Sequence, residues 1–120
     1  MIKSVIAAAL IIIITATSVV LAFNHTIKTV DDFKERLDKA YMNPVSQDLK
    51  NISDEWDKEK KSLMFLINHR DVEAISVSIL RAYEESAAGR PDMAIQEISV
   101  AKFQLEELVE REKFSFENIF

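Results

Sequence analysis

VIAAALIIIITATSVVLAF, residues 5–23, decides how this chain is built. The run carries no charge, and only Thr15, Thr17 and Ser18 interrupt its Val, Ile, Ala and Leu. At about 1.5 Å per residue such a helix is about 28 Å long, close to the ~30 Å hydrocarbon core of a bilayer. Residues 1–23 therefore read as a signal anchor that crosses the membrane once, with the bilayer itself as the partner of residues 5–23. A cleaved signal would place Val20 and Ala22 at the small-residue positions, but the apolar run exceeds an ordinary signal core, so retention is expected. Lys3 lies at the membrane edge, whereas Lys28, Lys34, Arg36 and Lys39 mostly lie farther off among Asp and Glu, which favours a soluble part outside the cytoplasm. Ser4 with Ala8 and Ser18 with Ala22 have the spacing of close-packing membrane helices, a pattern also common by chance.

Beyond the anchor the pattern changes. Ile27, Val30, Phe33, Leu37 and Tyr41 recur every three or four residues, which predicts an amphipathic juxtamembrane helix over residues 24–43, continuing the anchor or restarting at Thr29. Asn43-Pro44 closes it, because proline disfavours helical geometry in the residue before it. Residues 44–113 then form a helical domain with helices expected over about 44–68, 71–88 and 91–113. Their apolar stripes are Leu49, Ile52, Trp56, Leu63, Leu66 and Ile67; then Val72, Ile75, Ile79 and Tyr83; then Ala94, Ile98, Ala101, Leu105 and Leu108, widened by Ile95 and Val109. Lys102 is expected at an exposed position. Gly89-Arg90-Pro91-Asp92 is the clearest turn, and residues 114–120 read as an aromatic tail. With one glycine and two prolines among 120 residues, the fold is all-α: a transmembrane helix followed by a small antiparallel bundle or a stack of helical hairpins.

Composition narrows the chemistry. The net charge of −5, with Lys and Arg interspersed among Asp and Glu, argues against nucleic acid. Absence of cysteine removes disulfides, thiolate metal sites and cysteine nucleophiles. His69, one turn from Glu73 and near Asp71, reads as a capping or packing histidine, since a metal centre needs three or four convergent ligands. Glu84-Glu85 and Glu106-Glu107 are adjacent on helices and point apart, so they belong to solvated faces. Asn24-His25-Thr26 and Asn51-Ile52-Ser53 match the glycosylation acceptor pattern, one against the membrane and one inside a helix, and neither is expected to be used. Trp56 is expected as a core anchor, and the tail residues Phe114, Phe116, Ile119 and Phe120 to pack back across the bundle or to dock onto a partner or the membrane surface.

Glu55-Trp56 through Lys58 and Lys61, Leu66-Ile67-Asn68-His69, the helix from Val72 to Tyr83, and Phe114-Ser115-Phe116-Glu117-Asn118-Ile119-Phe120 together resemble the bacterial domain-of-unknown-function family 4363. The resemblance implies a short, N-terminally anchored helical protein of the kind found mainly in Firmicutes, with Asn68 standing where the family motif has Asp. It carries no activity. It makes Trp56, His69, Asn118, Ile119 and Phe120 worth testing without assigning them roles, and with Phe116 of the tail they are the candidate interaction residues. The expectation is a non-enzymatic interaction module of the bacterial cytoplasmic membrane, with no cofactor, whose partner is another membrane or envelope protein or a second copy of the chain. The alternative is a small-ligand or metal-binding sensor domain using His69 and nearby carboxylates.

Overall fold

With no glycine or proline before residue 44, one helix, α1 (Ile2–Met42), passes from the apolar stretch into the amphipathic one without a break. No restart occurs at Thr29. The computed structural model describes residues 1–64 and 67–119, the last by its backbone, so Leu66, the Ile119 side chain and Phe120 lie outside the described residues. Asn43 turns extended (φ −153°, ψ 94°), as a residue before proline must, and α2 (Ser46–Leu63) follows. It ends at Leu63, earlier than residue 68, and both Leu63 and Ile67 are buried in the core. The cap of α3 (His69–Ala87) is Asn68, whose side chain accepts the Arg70 N–H at 2.8 Å, so α3 starts two residues before the expected boundary.

The α3 end is a Schellman turn. Arg90 N–H donates to the Glu85 carbonyl and Gly89 N–H to the Ser86 carbonyl, with Gly89 at φ +77°. An Arg90–Glu85 ion pair clamps the same turn. Pro91 opens α4 (Pro91–Ile119), which runs on through the residues expected as a separate tail. That correction has a simple cause: Lys113-Phe114-Ser115-Phe116 contains no proline or glycine to stop a helix already supported by α1.

Contacts join α1 to α2, α2 to α3, α3 to α4 and α4 back to α1, while neither diagonal pair brings its backbones close among the described residues. The four helices thus close an up-down-up-down ring rather than an open stack of hairpins. Residues 24–43 are one wall of that ring, not a separate juxtamembrane element: Val30, Phe33, Leu37 and Ala40 enter the core. They share one core with Leu49, Ile52 and Trp56 of α2, Val72, Ile75 and Ile79 of α3, and Ile98, Ala101, Leu105 and Leu108 of α4. The molecule measures 70 × 23 × 22 Å because the apolar half of α1 projects beyond the bundle.

Candidate functional site

The bundle has two unlike ends. At the end away from the apolar projection, the Ser86 hydroxyl donates to the Pro44 carbonyl at 2.6 Å and ties the α1–α2 corner to the end of α3. Trp56 lies midway, fully buried, edge-on to Phe33 at 5.1 Å between ring centres. Its indole N–H donates to the Ser76 hydroxyl at 2.8 Å, which in turn donates to the Val72 carbonyl. Every polar atom of that side chain is therefore satisfied inside the bundle, and Trp56 is a packing anchor with no face left for a ligand.

Towards the apolar projection, α4 climbs along α1 in a constant antiparallel register. Lys102 meets Asp38 at 2.5 Å, with its ammonium 5.0 Å from the Tyr41 ring centre. Lys34 meets Glu106 at 3.1 Å, and Phe116 stacks on Phe23 at 4.3 Å with the rings 11° from parallel. Lys102 is thus not the exposed position its helical phase suggested, since only 25% of its side chain is accessible. The hydrogen bond to Glu106 holds the Lys34 ammonium above its ordinary pKa. Periodicity could not have found this seam, because each pair joins residues more than sixty positions apart.

At the same end, Arg111 of α4 reaches Asp71 in the first turn of α3 at 3.2 Å. Burial pushes the neighbouring Glu112 carboxyl up, Asp71 adds to the shift and Arg111 opposes it. Lys60 closes the α2–α3 side, 3.4 Å from both Asp57 and Glu73; burial draws its pKa down, but the two carboxylates outweigh it and leave it raised. His69 is exposed at the helix start and is neither cap nor core residue. Its expected capping role belongs to Asn68, and Glu73 turns to Lys60 instead. Asn118 is exposed on the last turn of α4. Among the described residues, those singled out by the sequence therefore do not converge: Trp56 is in the core, His69 at a corner, Phe116 against Phe23 of α1, and Asn118 exposed near the end of α4.

A groove of about 530 Å³ between α1 and α2 is lined by His25, Asp32, Arg36, Lys39, Glu55 and Lys58 among others. Arg36 is paired to Glu55 and Lys39 to Glu35, so its charges largely answer one another. His69 is not among its lining residues. Among the described residues no group of three or more His, Asp or Glu side chains stands close enough to hold a metal ion. Thr26 and Ser53, the hydroxyl positions of the two glycosylation patterns, are buried.

The sequence reading missed a second feature. Met93, Val100 and Phe103 lie off the core stripe of α4 yet are apolar and exposed, Phe103 by 61%, and Val77 and Leu80 of α3 are exposed likewise. Spacings of seven and ten place Met93, Val100 and Phe103 on one side of α4. Their heptad-like recurrence was legible beside the core stripe.

These features define an all-α four-helix bundle carried on an apolar helical projection, with ion-paired seams and an outward apolar face. The profile of a domain of unknown function, DUF4363, matches residues 13–119, and the chain belongs to that family. The match begins inside the apolar half of α1 and reaches the last turn of α4. No curated protein and no solved structure matches the chain.

Proposed function

We propose that the protein is a non-enzymatic, single-pass membrane protein of the bacterial cytoplasmic membrane, whose helical bundle stands outside the cytoplasm and binds another membrane or envelope protein. The observation that carries the reading is the apolar half of α1. An 18-residue window of that helix has a mean hydropathy of 2.8, and none of it is buried within the protein. So much apolar surface is costly in water and is matched by a bilayer in length and polarity. The exposed Met93, Val100 and Phe103 supply a face of the kind found at the centre of protein interfaces.

Lys50 is exposed near the start of α2, on a chain without native cysteine, and serves as the labelling position. Lys50→Cys in intact cells is expected to react with a membrane-impermeant maleimide, and the protein to resist extraction from membranes by alkaline carbonate. Labelling only after lysis would place the bundle in the cytoplasm; carbonate release would remove the anchor. A photo-crosslinking residue at Phe103 is expected to capture one discrete envelope or membrane protein, and capture that is indifferent to replacing Val100 with Asp would refute this face as the contact.

A further inference from the structure

We propose that the end of α4 is a second membrane contact, lying in the headgroup layer of the bilayer beside α1. The inference rests on the anchoring of α1 proposed above and concerns a different element. The register between α1 and α4 carries it. From Lys102 with Asp38 to Glu106 with Lys34, four residues up α4 are met by four back along α1, and the same register delivers Phe116 onto Phe23. Phe23 is where the uncharged run of α1 ends and Asn24-His25 begins, the level at which a bilayer changes from hydrocarbon to headgroups.

α4 does not stop at the rim of the bundle. Arg111 is level with the first turn of α3, and the helix continues to Ile119, about two turns farther. The register sets Phe114 opposite His25–Thr26 and Asn118 opposite Leu21–Ala22. Phe116 faces α1, whereas Phe114 points away and is 67% exposed. In water that ring has no cover; at this depth it meets the interfacial layer, where aromatic rings partition well. Lys113 and Glu117 on the same turns are exposed and charged, which holds the helix end among headgroups and keeps it out of the hydrocarbon. Anchoring both α1 and α4 at one end fixes the long axis of the bundle to the membrane, where a single helix would let it swivel.

The test uses the full chain carrying one cysteine at a time, Asn24→Cys, Phe114→Cys, Asn118→Cys or Lys50→Cys, labelled with a nitrobenzoxadiazole dye and reconstituted in phosphatidylcholine vesicles. Lipids spin-labelled near the headgroup quench a dye at that depth. Dye at Phe114 and Asn118 is expected to lose as much emission as dye at Asn24, while dye at Lys50, at the far end, loses none. Quenching at Asn24 without quenching at Phe114 and Asn118 overturns this proposal and leaves the anchor standing; no quenching at Asn24 overturns the anchor itself. Emission at Phe114 that is blue-shifted yet insensitive to the labelled lipid would mean that protein, such as a second copy, covers the ring. Quenching at Lys50 as well would mean that the whole bundle lies on the surface. Either result overturns the proposal. Asn118, which spares the phenylalanine, keeps the test valid if Phe114→Cys perturbs α4.

Discussion

The two halves of α1 share one helical geometry and differ in everything that surrounds them. From Ile2 to Phe23 most side chains are exposed, with apolar residues on all sides; from Thr26 to Ala40 only one stripe is buried and the rest carries charge. The first half suits a solvent that is apolar in every direction, the second a partner on one side and water on the other. A single uninterrupted helix therefore carries two surface patterns. Its second half is a wall of the bundle, so the apolar half extends directly from the core without a break.

That contrast breaks most sharply under one kind of substitution made in both halves. Leu37→Ala removes a fully buried side chain and is expected to destabilise the bundle by about 2–5 kcal/mol. Ile13→Ala, in the exposed half, is expected to leave urea unfolding of the bundle in mild detergent unchanged. Equal losses at the two positions would mean that the halves are not distinct in their surroundings.

A smaller effect is expected away from α1, where the shape of the bundle depends on a backbone turn. Gly89→Ala is expected to cost about 1 kcal/mol, measured by the same unfolding curve, because a Cβ at φ +77° strains the chain. Nothing lies within 4 Å of the added methyl, so the loss is conformational and not steric.

The smallest effect sharpens the comparison at the rim between bundle and projection. Burial raises the Glu112 carboxyl, so the folded state holds its proton more tightly than the unfolded one. The resulting penalty is absent below the unfolded pKa, grows as pH rises through the folded pKa and is complete above it. Glu112→Gln is accordingly expected to raise the urea midpoint slightly at neutral pH and to leave it unchanged in acid. A gain that persists in acid would assign the effect to something other than this ionisation.

Much of the bundle was legible in the sequence because helical periodicity is a local signal. Val72, Ile75 and Ile79, and Ala94, Ile98, Ala101, Leu105 and Leu108, all reach the core from the positions their spacing predicts. Pro44 and Gly89-Arg90-Pro91 mark corners for the same reason: their backbone limits act on the next residue or two. The candidate site was less legible. Phase alone made Lys102 an outer position and left His69 to cap a helix, yet the approach of α1 covers the first and Asn68 takes the place of the second.

By itself the sequence determined that this protein is helical, that its first helix is long and apolar enough to span a bilayer, and which stripe of each helix seeks burial. Only the tertiary structure decided that α1 closes the ring, that Lys34 and Lys102 find Glu106 and Asp38, and that α4 runs on to set Phe116 against Phe23. The physical reason is the range of the forces involved. Propensity and amphipathicity act within a few turns of one helix, whereas register is chosen when two faces far apart in the chain pack and each ion pair and ring must fit at once.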